Sequence, residues 1–123
     1  MPDPDHGDAI REGIMLFADR RFFEAHEAWE TVWLASTGEL RLFVQGLIQL
    51  AAACVHVQRG NRRGAAGLFR SSLAKLAPFP QGYLGIDREE TVAAARRLLS
   101  SLESGEPIDP LQTALPVPPL TIS

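Results

Sequence analysis

The sequence predicts an all-α domain. It reads as a compact bundle of about five helices, two antiparallel hairpins and a closing helix, with a Pro-rich C-terminal tail. Three observations carry this. Apolar residues recur at helical spacing in five separate stretches, whereas no segment alternates with period two over a useful length. Two of the stretches are preceded by helix-start patterns, Ser36-Thr37-Gly38-Glu39 and Asp87-Arg88-Glu89-Glu90. The stretches are separated by breaks that carry Gly, Asn or Pro. With 123 residues, 46% of them hydrophobic, one domain can build a core without disulfides or a structural metal.

Taken in order, residues 1–7 form a flexible lead-in rich in Pro, Asp and Gly, in which His6 is solvated. The helical domain spans 8–104. Its first helix covers 8–19, with Ile10, Ile14 and Phe17 on one face. A turn at Asp19-Arg20-Arg21 leads into the second helix, 21–35. There Phe22, His26, Trp29 and Trp33 project within one sector of roughly 60°, with Glu30 on its flank. The two tryptophans read as core anchors. Ser36 and Glu39 form a capping box for the third helix, which runs to Gln58 and is apolar almost all round, so it is the central one. Gly60 ends it and Asn61 N-caps the fourth helix, 62–77, whose Gly64, Ala65, Ala66 and Gly67 allow close approach to the third. Residues 78–85 are a loop. A second capping box at Asp87 opens the fifth helix, which buries Val92, Ala95, Leu98, Leu99 and Leu102 and ends near Ser104. Residues 105–123, with five prolines, are an extended tail carrying Leu111, Leu115, Val117 and Leu120.

Charge narrows the function classes. Fifteen acidic and twelve basic residues give a net charge of −3, which disfavours bulk attraction to nucleic acid or anionic membranes. The one basic cluster, Arg59, Arg62 and Arg63, reads as a solvated junction interacting with the C-terminal dipole of the third helix. Met1-Pro2-Asp3-Pro4-Asp5 lacks the basic-then-apolar order of a signal peptide, and no apolar run is long enough to cross a bilayer, which takes ~20 residues. Cys54, the single cysteine, sits among Ala and Val as a small buried thiol. A cytoplasmic protein is expected.

One stretch concentrates chemistry. His26 and Glu30 lie one turn apart on the second helix, a spacing at which two side chains can hold one metal ion. The outline His26-Glu27-x-x-Glu30 departs from the zinc-peptidase pattern, because Glu30 stands where that pattern has its second histidine. On the third helix Gln45, Gln49 and His56 share a stripe with Ala52, and a polar stripe on a buried helix must find partners. Two readings follow. In the first, His26, Glu30 and His56 ligate a divalent metal, zinc or similar, or line a small-ligand site, with Glu27 as general base and Gln45, Gln49, Asn61 and Trp33 around it. In the second, the domain is a non-enzymatic interaction module, such as a homodimer, and the same side chains satisfy one another as a structural hydrogen-bond network. Whether the protein is an enzyme is left open by the residues.

The segment Phe23-Glu24-Ala25-His26-Glu27-Ala28-Trp29-Glu30-Thr31-Val32-Trp33 is followed by Phe43-Val44-Gln45-Gly46-Leu47-Ile48-Gln49-Leu50-Ala51-Ala52, then His56, Gly60-Asn61 and Gly64-Ala65. This ordered run resembles the DUF309 family of small bacterial and archaeal proteins of unknown function, over about residues 10–77. The resemblance implies a compact all-helical domain, recognised by the His-Glu-x-x-Glu segment, Gln45, Gln49, His56 and Asn61. It implies no activity, and the Pro-rich tail lies outside it.

Overall fold

The computed structural model describes residues 4–105, with side chains from residue 7 onward. His6, the first three residues and the tail from residue 106 lie outside that description. Five α-helices and no strand make up the described residues: α1 (Pro4–Ala18), α2 (Phe22–Leu34), α3 (Gly38–Gln58), α4 (Arg62–Leu76) and α5 (Arg88–Ser104). Each packs against its neighbour in sequence, α1 on α2, α2 on α3, α3 on α4 and α4 on α5.

Helix α1 starts at Pro4 and so takes in most of the expected lead-in. Proline suits a first helical position, where its missing N–H would have no intrahelical partner. Ile10, Ile14 and Phe17 are buried, as their spacing requires. In α2 the buried arc is Phe22, Ala25, Trp29 and Val32. Trp29 reaches to α1: its indole Nε1 donates to the Ile10 carbonyl at 3.2 Å and its ring packs 5.9 Å from that of Phe17. The sector that projection presents as one seam is therefore divided. Trp29 faces α1, whereas His26 and Trp33 flank the arc on the α3 side.

The start of α3 differs from expectation. Thr37 is its N-cap and makes no side-chain capping bond. Ser36 instead donates its hydroxyl to the Val32 carbonyl, closing the end of α2. Two adjacent hydroxyls compete at this junction, and the orphan carbonyl behind wins Ser36. Helix α3 is 21 residues long and its most apolar 18-residue window has a mean hydropathy of 1.5, so, against expectation, it is long and apolar enough to cross a bilayer by length and composition. In the fold it is the central helix, with α2 and α4 packed against it and Phe43, Val44, Leu47, Leu50, Ala51 and Cys54 buried. Burial pushes the Cys54 thiol far above its ordinary range against a small opposing effect of Arg20, so it is a core group.

The close approach of α3 and α4 comes from Gly46 on α3. Ser72 donates to the Gly46 carbonyl at 2.8 Å across the interface, and a Cβ on Gly46 would lie 2.8 Å from Leu76 Cδ2. Of the small α4 residues, Ala65 and Ala66 are buried, but Gly67 faces open space. The expected α4 cap forms: Asn61 Oδ1 accepts from the Gly64 N–H at 3.0 Å. Arg62 does not serve the α3 dipole. It spans to the far end of α5 and donates to the carbonyls of Ser101 and Leu102, both at 3.1 Å, neutralising the negative end of that helix.

The 78–85 loop contains one short 3₁₀ turn, Tyr83–Gly85, and its rings join Phe43, Phe79 and Tyr83 in a cluster with centroids 4.7–4.9 Å apart. Asp87 caps α5 as expected, accepting from Gln81 Nε2 at 2.8 Å and the Glu90 N–H at 3.1 Å. The Gln81 bond, then the Glu90 bond, hold the Asp87 carboxyl below its ordinary value of 3.8. A carboxyl lowered on folding contributes stability above its unfolded value and loses it as pH falls through its folded one. Melting temperature is therefore expected to fall more steeply below pH ~4 in the wild type than in Asp87→Asn, which keeps an acceptor without the charge. Parallel acid limbs in thermal scans would contradict this.

Candidate functional site

Of the polar residues singled out on α2 and α3, His26 and His56 meet at one crevice. His26 and His56 both line a pocket of about 140 Å³ with Phe23, Ala52, Val55 and Arg59. The register follows from antiparallel packing. His26, near the start of α2, lies against the last turns of α3, and Trp33, near the end of α2, lies against the first turns, where the Arg41 guanidinium sits 3.9 Å above its ring. That stacking is a cation–π contact. Phe23 and His26, one turn apart, stack with centroids 6.1 Å apart and an interplanar angle of 16°.

His26 is 30% exposed through its side chain, and its Nδ1 lies 3.6 Å from Glu30 Oε2, too long for a hydrogen bond. Glu30 is half exposed and Glu27 is exposed, with neither lining the pocket. Gln45 and Gln49 are half-buried on the α3 stripe. Among the described residues no three His, Cys, Asp or Glu side chains gather closely enough to hold a metal ion. Of His26, Glu30 and His56, the two histidines line the pocket together, and Glu30 stands beside His26 outside it.

The cluster also fails to close on itself. His26 Nδ1, Trp33 Nε1 and Gln49 Oε1 are buried and make no hydrogen bond among the described residues. The expected structural network is thus incomplete, and each open atom carries a desolvation cost of about 1–3 kcal/mol. Long side chains held on two rigid helices have few rotamers with which to reach across, so residues of suitable chemistry do not guarantee a closed network.

One polar pair is made, and it sets the tautomer of the neutral ring. Asn61 Nδ2 and His56 Nδ1 are 3.0 Å apart. Because Asn61 Oδ1 is committed to the Gly64 N–H as the α4 cap, the amide presents its NH₂ to the imidazole. His56 Nδ1 must then accept, and the neutral ring carries its proton on Nε2. His56 is thus a hydrogen-bond donor at its free nitrogen. Arg59, which the sequence places at a helix junction, belongs to this pocket. The signal was its spacing: it follows His56 by three residues, one helical turn, as His26 follows Phe23.

A family model described as Domain of unknown function (DUF309) matches residues 10–68. That span contains α2, α3 and every residue lining the pocket, and stops short of residue 77. No curated protein matches the chain.

Proposed function

Residues 10–68 of this chain are a DUF309 domain, and we propose that its α2–α3 crevice binds a small oxyanion, a carboxylate or phosphate group. The observation that carries this reading is the donor set around one pocket: the His56 Nε2–H set by Asn61, the Arg59 guanidinium, and His26 beside them. Charge-assisted donors of this kind recognise oxyanions. Phe23 supplies an apolar wall. The pocket, about 140 Å³, is small against the ~300–1,000 Å³ of sites for drug-sized molecules, so it suits an anionic group and little more.

A divalent metal suits this arrangement less well. To ligate at Nε2, neutral His56 would need its proton on Nδ1, where a metal-bound imidazole normally donates to an acceptor. Here Asn61 donates to Nδ1, and reversing it would strip α4 of its cap.

Titration with inorganic phosphate, and separately with acetate, followed by heteronuclear NMR, tests the proposal. Saturable shifts are expected at Phe23, His26, Ala52, Val55, His56 and Arg59. Affinity is expected to weaken roughly tenfold or more in Arg59→Gln, which removes a charge-assisted bond worth ~1.5–3 kcal/mol. Asn61→Asp is the sharper variant. Aspartate caps as well as asparagine, but it places a carboxylate against His56 Nδ1 and draws the proton of the neutral ring to that side. Phosphate binding is expected to weaken and zinc binding to appear, because Nε2 then offers a lone pair. Wild-type protein that ignores both anions, or that takes up stoichiometric zinc through His26 and His56, would overturn the proposal.

A further inference from the structure

A second depression lies away from this crevice. It is a groove of about 420 Å³ between the start of α3 and the end of α4, lined by Leu42, Ala74, Lys75, Phe79 and Tyr83 among others. Leu42 is 45% exposed on its rim, an uncovered large apolar side chain on the central helix. Pro78 and Pro80 complete the walls, so an aromatic and apolar trough runs along the outer edge of the Phe43–Phe79–Tyr83 cluster. Aromatic-lined grooves of this kind take Pro-rich segments, because a proline helix has three residues per turn and presents prolines three apart along one edge.

The chain carries such a segment, Leu115-Pro116-Val117-Pro118-Pro119, with Pro116 and Pro119 at that spacing. We propose that this C-terminal segment seats intramolecularly in the groove formed by Leu42, Phe79 and Tyr83. Reach permits it. Arg62 ties the end of α5 to the start of α4, so the chain leaves Gly105 near that end of the bundle. The groove lies at the other end of α4, beside Lys75, about 20 Å away at ~1.5 Å per residue. The residues between Gly105 and Pro116 span up to about 34 Å at ~3.1 Å per residue, which leaves slack for a path around the bundle. The match is one of shape and apolar surface; only Glu39 and Lys75 among the lining residues carry charge.

A nitroxide on Ser123→Cys in the full chain tests the seat. Cys54 is buried with its thiol held protonated, so the label goes to residue 123. Paramagnetic broadening is expected at the amides of Leu42, Ala74 and Tyr83 in dilute protein, and is expected to fall at least threefold in Leu42→Asp and in the Pro116→Ala/Pro119→Ala double variant. Broadening that misses these amides would overturn the proposal. So would broadening seen only when isotopically labelled protein is mixed with an unlabelled, nitroxide-bearing copy, since the occupant would then be a second chain.

Discussion

Truncating Trp29 to alanine is expected to lower the free energy of unfolding by about 3–5 kcal/mol, the range for large aromatic truncations in a core. Trp29 is fully buried, packs on Phe17 and donates to the Ile10 carbonyl, so it joins α1 to α2 through both apolar area and one hydrogen bond. Against the ~5–15 kcal/mol that holds a domain of this kind, that loss takes a large share. Melting temperature should drop by roughly 15–25 °C. The mirror-image change is Gly13→Ala. A Cβ there would stand 2.5 and 2.6 Å from Cε2 and Cδ1 of the same indole, and closer still to its nitrogen. The indole cannot move aside without giving up its hydrogen bond. Each single variant is expected to destabilise strongly, and Gly13→Ala is expected to cost much less in the Trp29→Ala background. Additivity within ~0.5 kcal/mol in that double-mutant cycle would show that α1 and α2 do not meet through this pair.

Gly46→Val is expected to cost at least about 2–3 kcal/mol, and Gly46→Ala far less. Alanine places its Cβ 2.8 and 2.9 Å from Leu76 Cδ2 and Cγ, the outer part of a side chain that can turn, and it gains roughly 1 kcal/mol of helix propensity over glycine. Valine adds two methyl groups where Lys75 Cβ already lies 3.2 Å from the new Cβ, so the helices themselves must separate. Separation also breaks the buried 2.8 Å bond from Ser72 to the Gly46 carbonyl. Chemical denaturation of the two variants side by side checks this. Equal stabilities would mean that α3 and α4 have room to spare.

Both residues show where reading along the chain stops. Helical periodicity marks Ile10, Ile14 and Phe17 as one buried face and Val92, Ala95, Leu98, Leu99 and Leu102 as another, and all are buried except Leu99, which is only partly covered at the edge of its face. Cap chemistry places the starts of α4 and α5 at Asn61 and Asp87, because a side chain bonding an amide three residues on is a local event. The same chemistry misleads at Ser36, where two helix ends lie within reach of one hydroxyl and only their relative position decides between them. Projection likewise groups Trp29 with His26 and Trp33, since a helical wheel gives angles around one axis but not which neighbour stands at each angle.

The crevice between α2 and α3 repeats the lesson. His26, Gln49 and His56 stand out from sequence as polar groups in apolar helices, with Asn61 at the turn that follows α3. Whether they satisfy one another depends on fractions of an ångström: His26 Nδ1 stops 3.6 Å from Glu30, whereas His56 reaches Asn61 at 3.0 Å. Arg59 and Arg62, three residues apart, part company for the same reason. One lines the pocket and the other crosses to the end of α5.

By itself, the sequence determined the number of helices, most of their boundaries, the buried face of α1 and most of that of α5, and the half-buried polar stripe on α3, because periodicity and capping are written within a few residues. Only the tertiary structure decided that Trp29 serves α1, that Gly46 lets α4 approach closely, that the two histidines share a pocket without Glu30, and that the neutral His56 ring carries its proton on Nε2. Those outcomes follow from how each helix is rotated and spaced against its neighbours. Rotation and spacing are set by the fit of groups distant in the chain, a glycine beneath an indole or beneath a leucine, and no local pattern records them.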